Sequence, residues 1–194
     1  MKDIFFLRTA KTGSSSLSHW CHLHQTYITN NMIPLDKGDN AGLKEKLAEK
    51  KYYTFTIVRN PFTRAISCWK QAIRICWIHK DVPFKDYLEI PFHQILDPHY
   101  KTHNIPIADY LGEYLKQINK VAKLESIQED MDQICDELNL ETTKIRHDRL
   151  GKYDKEEEYK LYNDSSIVDK IKELYAIDFE TFNYSKDPDT IISS

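Results

Sequence analysis

The stretch Phe5-Phe6-Leu7-Arg8-Thr9-Ala10-Lys11-Thr12-Gly13-Ser14-Ser15-Ser16-Leu17 runs from an apolar strand into a tight polar turn and then a helix start. A phosphate- or sulfate-sized anion needs backbone N–H groups at a helix start, hydroxyl donors and a cation, and this turn supplies all three. Lys11 would bring the charge. Thr12, Gly13, Ser14, Ser15 and Ser16 would bring the N–H groups and hydroxyls. The turn is not a Walker A loop. That motif places the lysine directly after its second glycine, whereas Lys11 and Thr12 precede Gly13 and no upstream glycine is present. Taken alone, the segment equally fits a serine-capped helix start with a solvated lysine.

A second segment shifts that balance. In Val58-Arg59-Asn60-Pro61-Phe62-Thr63-Arg64-Ala65-Ile66-Ser67 an arginine ends an apolar run and a serine follows two helical turns later. Arg59 can fork onto a second phosphate and Ser67 can donate a hydroxyl to it. Arg64 and Ser67, three residues apart, share a helix face. Arg64 reads either as part of that polar face or as a surface charge.

The elements that must hold these residues follow from the pattern. Asp3–Leu7 and Tyr52–Val58 read as strands, the second being almost wholly β-branched and aromatic. Val121–Leu124 is a possible third. A helix is expected from Gly13 or Ser14 to about His24, and a short charged one over 41–50. Asn60 can cap a helix whose first residue is Pro61, and Phe62, Ala65, Ile66, Trp69, Ile73, Cys76 and Trp77 form its core stripe. Residues 25–40 read as loop, and 81–107 as short pieces broken by prolines. Ser126 and Glu129 have capping-box spacing before a helix to about Leu138, and helical segments close the chain over 154–162 and 164–175. Asp178-Phe179 and Phe182–Tyr184 read as core docking. Alternating strands and helices point to a three-layer, P-loop-like α/β fold with a small, mainly parallel sheet flanked by helices. Ligands of such sheets sit at the carboxyl ends of strands, where both basic loops fall.

With both loops in hand, the chain resembles the sulfotransferases, in particular the carbohydrate (Golgi-type, family 2) branch. Lys11–Ser16 looks like their 5′-phosphosulfate loop and Val58–Ser67 like their 3′-phosphate segment. Lys123–Asp130 is similar to a strand-to-helix segment of that family, and Leu174–Tyr184 to its ending. These ordered matches span residues 4–184. The resemblance implies 3′-phosphoadenosine 5′-phosphosulfate (PAPS) as donor, no metal, and sulfuryl transfer to a hydroxyl of a carbohydrate or other small acceptor. It implies that Lys11 acts on the 5′-phosphosulfate, that Thr12–Ser16 cradle it, and that Arg59 and Ser67 hold the 3′-phosphate. The family takes the acceptor proton with a histidine or a glutamate. His103 ranks first here, because it sits with His99 in the Pro-rich middle segment where that family's acceptor-binding loops lie, and His24 ranks second; His19, one and a half turns into its helix, is expected to point away from the donor. Arg149 and Lys152, in the basic loop Lys144–Lys152, resemble a segment that closes over the nucleotide. The proline that usually precedes the loop lysine is Ala10 in this sequence.

Composition sets the bounds. The 194 residues suffice for one domain with a real core, expected over 1–185 with a frayed tail at 186–194. A net charge of −3 argues against nucleic acid as partner. The first apolar run is too short for a signal peptide, and no run reaches the ~18 residues of a membrane span, so no membrane partner is expected. Cys21, Cys68, Cys76 and Cys135 show no metal-ligand spacing and read as small buried hydrophobes, pointing to a cytoplasmic protein with reduced thiols. Two rivals stay open: a P-loop kinase, which would need Mg-ATP, and a module that binds the nucleotide without catalysis. The acceptor and the oligomeric state are not encoded in any motif. Residues 25–40 and 79–110, with Tyr87, Phe92, Tyr100 and Tyr110, are the expected acceptor walls.

Overall fold

The computed structural model describes residues 3–30, 35, 38–49, 51–92, 96–145 and 155–191. Four strands, β1 (Asp3–Leu7), β2 (Tyr27–Ile28), β3 (Tyr52–Val58) and β4 (Lys120–Lys123), form one sheet in the order β2-β1-β3-β4. Every pairing is parallel, with Leu7 opposite Thr56 and Val58 opposite Lys123. The fold is α/β, as the pattern required. β2 is the unforeseen element. It is two exposed residues at the sheet edge, so burial leaves no alternation in the sequence to announce it.

Side-chain alternation splits the core into layers. Ile4, Phe6, Phe55 and Ile57 meet α1 (Ser18–Leu23) and α7 (Ile127–Leu138) on one face. Phe6 stacks on Phe55 at 4.8 Å between ring centroids, and Trp20 closes edge-on at 5.6 Å. Phe5, Leu7 and Val58 meet α2 (Leu43–Ala48) and α6 (Ile107–Leu111) on the other. A third apolar cluster joins α3 (Pro61–Arg74), α4 (Phe84–Leu88), α5 (Pro98–Asn104), α9 (Ser165–Leu174) and α10 (Ala176–Thr181). Beside it lies α8 (Lys155–Lys160), tied to α3 by a Lys70–Glu158 ion pair. The tail turns once more in a 3₁₀ helix, Pro188–Ile191, and Ile191 packs against the third cluster. Among the described residues no helix is long and apolar enough to cross a membrane.

The pattern needs four local corrections. α1 begins at Ser18 rather than at Gly13 or Ser14, because Lys11 (φ 65°) and Gly13 (φ 76°) hold the preceding turn in the left-handed region. α3 starts as expected, with the Asn60 side chain accepting from the Phe62 N–H at 3.0 Å, but it ends at Arg74. Cys76 then turns the chain at φ 58° and is exposed, so it is not part of the core stripe. The Ser126–Glu129 capping box does not form. Ser126 Oγ instead donates to Asp130, which also takes the Lys123 N–H and pairs with Lys120; burial is outweighed by these partners, which hold the Asp130 pKa below its ordinary value.

Candidate active site

After β1 the chain leaves toward β2 on one side, and after β3 it leaves toward β4 on the other. The carboxyl ends of β1 and β3 are therefore the switch point of the sheet, where ligands of parallel sheets bind. The loops 8–17 and 59–60 both open there.

Hydroxyls lock the first loop from beneath. Thr9 Oγ1 donates to the Ile57 carbonyl at 2.6 Å, and the Thr9 and Thr12 hydroxyls lie 3.0 Å apart. Thr12 Oγ1 also donates to the Thr9 carbonyl at 3.1 Å and is fully buried. Its hydroxyl is a structural brace, so Thr12 has only its backbone to offer a ligand. Arg8 Nε reaches Ser14 Oγ at 3.1 Å. The Ser16 N–H closes a turn onto the Gly13 carbonyl at 2.9 Å. Gly13 suits this turn on two counts. Its φ is left-handed, and a Cβ would come within 2.5 Å of Leu124 Cδ1. The alternating left-handed residues bend this backbone into a concave turn of the kind that gathers N–H groups around an anion.

The second loop reaches back to the first. Arg59 Nη1 donates to the Lys11 carbonyl at 3.4 Å, and its Nε to Thr63 Oγ1 at 2.9 Å. Burial pulls the Arg59 pKa down, opposed by the carboxylates of Glu125 and Glu158. Glu125 is itself committed: it accepts the Asn60 N–H at 2.8 Å and the Tyr184 hydroxyl at 2.9 Å. Ser67 is half-buried one turn past Thr63 on the same helix face. One turn further, Gln71 Oε1 accepts from Lys11 Nζ at 3.3 Å. Lys11, Arg59 and the Thr63–Ser67 face thus converge over about one helix width.

Arg64 is a site-building residue that pattern reading misplaced. It is 1% exposed, not a surface charge. Its Nε donates to the Ala10 carbonyl at 3.3 Å, and Nη2 donates to the carbonyls of His103 (3.2 Å) and Ile105 (2.8 Å). Asp178 lies 3.8 Å from Nη1 and accepts the Ile107 and Ala108 N–H groups at 2.9 and 2.8 Å. One guanidinium therefore ties the 8–17 loop to the α5–α6 junction and the C-terminal helices. The signal was an aspartate inside an apolar ending, between Tyr175 and Phe179, since a buried acid requires a partner.

His103 hangs from that junction. Its carbonyl also accepts the Cys68 thiol at 2.9 Å. Its Nδ1 sits 2.9 Å from the His99 carbonyl, an acceptor only, so Nδ1 carries the proton and Nε2 keeps its lone pair. Burial, then the nearby charges of His99, Lys11 and Arg64, lower its pKa to about 4, while the His99 carbonyl bond acts the other way. The ring packs on Trp77 and His99. His24 is not brought to this end of the sheet. It caps the far end of α1 and packs at a tilt on Trp20 at 4.5 Å; burial lowers its pKa, opposed by Glu141, which follows the far end of α7. Arg149 and Lys152 lie outside the described residues. Of the expected acceptor aromatics, Tyr87, Phe92 and Tyr100 belong to the third core cluster and Tyr110 packs on the second sheet face. Among the described residues no group of three or more His, Cys, Asp and Glu could hold a metal.

The fold and loops define a class: a parallel α/β protein with basic, hydroxyl-rich loops at the switch point of its sheet, where ligands of such folds bind. Comparison with known proteins narrows the class: the chain belongs to the sulfotransferase family, whose sequence model matches residues 2–185. It is accordingly an enzyme of sulfuryl transfer. A solved sulfotransferase from Alicyclobacillus acidocaldarius is similar at 16% identity and a TM-score of 0.49, over 90% of this chain and 95% of that one. No curated protein matches the sequence.

Proposed function

We propose that this sulfotransferase uses PAPS as donor and sulfates a hydroxyl of a carbohydrate or other small acceptor, with residues 1–185 acting as one catalytic domain. The observation that carries this reading is two cations held at the switch point, the Arg59 guanidinium on the Lys11 carbonyl and the Lys11 ammonium on Gln71 of α3, which we read as a double clamp. Two clamps suit a ligand with two phosphate-sized groups. The donor, when bound, supplies a sulfuryl group on a phosphate leaving group. Lys11 and the N–H groups of Gly13, Ser14 and Ser15 would hold the 5′ end, and Ser16 would contribute its hydroxyl. Arg59 and Ser67 would hold the 3′-phosphate. Lys11 would neutralise charge on the leaving oxygen, the largest single contribution this chain can make to an in-line transfer. His103 Nε2 would take the acceptor proton, its tautomer being fixed by the His99 carbonyl. The described side chains support this assignment without a metal, because the neutralising charges are lysine and arginine. Four unpaired cysteines, three of them buried, fit a reducing compartment, and we assign the protein to the cytoplasm.

A ligand screen by thermal shift tests the reading. Adenosine 3′,5′-bisphosphate should raise the melting temperature without magnesium. Stabilisation by Mg-ATP alone would replace this reading with that of a kinase.

A further inference from the structure

Gln71 sits on the same face of α3 as Thr63 and Ser67, eight and four residues back. Its amide oxygen receives Arg74 Nη2 at 2.8 Å, Arg74 Nε at 3.2 Å and Lys11 Nζ at 3.3 Å. Three donors from two cations crowd one neutral acceptor that has two lone pairs. Arg74 holds it in two shorter bonds, so the Lys11 bond is the weakest of the three and the first to yield. We infer that Gln71 is a positioning residue that latches the Lys11 ammonium to α3 in the donor-free enzyme and releases it when an anion enters the loop.

The physical argument is an exchange of acceptors. A neutral amide oxygen shared with a guanidinium is a poor partner for an ammonium. A phosphate oxygen brings a charge of its own and so offers the ammonium a stronger partner. Arg74 remains bonded to Gln71 after the exchange, so the latch stays in place for the next cycle. The inference rests on the reading of Lys11 as a 5′-phosphate contact.

A double-mutant cycle on adenosine 3′,5′-bisphosphate binding, without magnesium, tests it by calorimetry. Gln71→Met removes this competing acceptor and should tighten binding about threefold, the low end of the scale for one hydrogen bond, as its length and its sharing with Arg74 require. In a Lys11→Met background the same substitution should change nothing, because no ammonium is left to latch. Gln71→Glu would grip the ammonium with a carboxylate. It should weaken binding at least tenfold with Lys11 present and by a clearly smaller factor in Lys11→Met. Weaker binding by Gln71→Met, or equal effects of either substitution in the two backgrounds, would overturn the latch while leaving the donor reading intact. No binding by the unaltered protein would overturn both.

Discussion

Replacing Arg64 with Met tests whether the site is built on a buried charge. The side chain is 1% exposed and makes three hydrogen bonds to the carbonyls of Ala10, His103 and Ile105. It is also the cation beside Asp178, at 3.8 Å. Methionine nearly matches the volume, so the loss is electrostatic and not a cavity. Removing one partner of a buried pair costs about 3–5 kcal/mol because the other charge is left uncompensated. Asp178 keeps two backbone N–H donors, which places the expected loss nearer the lower figure, about 3 kcal/mol. Burial already raises the Asp178 pKa, and Arg64 counters it. Without Arg64 the folded-state pKa rises further. A group with a raised folded pKa favours the fold below its unfolded value and loses that contribution as pH rises through the folded one. The variant should therefore be penalised more at pH 7.5 than near pH 5. Urea denaturation followed by tryptophan fluorescence at both pH values measures this, since Trp20 is buried in the core. A loss under about 1 kcal/mol, or one that does not depend on pH, would refute the buried-charge account.

Two further substitutions probe the loop and the base. Gly13→Ala forces a left-handed residue and a Cβ against Leu124, so it should cost about 1–2 kcal/mol and weaken bisphosphate binding; unchanged affinity in a folded variant would argue against an anion-shaped turn. With a pKa of about 4, His103 is neutral across the physiological range, so kcat/KM should stay level from neutral pH to about pH 5 and bend below it. The groups acting on that ring are His99, Lys11 and Arg64. Its folded pKa is depressed, so the neutral ring favours the fold above its ordinary 6.5, and that contribution is lost as pH falls toward 4. His103→Gln should lower kcat about 10²–10⁴-fold and remove the bend. An acid limb centred near 6.5, or turnover close to wild type, would exclude His103 as the base.

The pattern of the chain carried the fold class and the placing of both basic loops after strand ends. β1 and β3 are dense in β-branched and aromatic residues, and Asn60-Pro61 marks a helix start by side-chain chemistry alone. Knowing where two strands end was enough to bring Lys11 and Arg59 together across about fifty residues of sequence. What stayed hidden depends on distant partners. Arg64 is buried because carbonyls at Ala10, His103 and Ile105 and a carboxylate at Asp178 surround it, and no local window contains all of them. The late start of α1 follows from left-handed backbone at Lys11, a conformation that residue type does not advertise. Ser126 had the spacing of a cap but its hydroxyl donates to the Asp130 carboxylate instead. β2 exists because β1 offers an edge, not because Tyr27-Ile28 asks for one.

The central claim is that Lys11 and Arg59 form a two-phosphate clamp. Titration of adenosine 3′,5′-bisphosphate into the wild-type protein and into Arg59→Ala, in the absence of magnesium, tests it most directly. The clamp predicts measurable binding by the wild type and a loss of about 1.5–3 kcal/mol in the variant, roughly 10- to 150-fold in Kd, as for a charged hydrogen-bond partner. Equal affinity in the two proteins would contradict it.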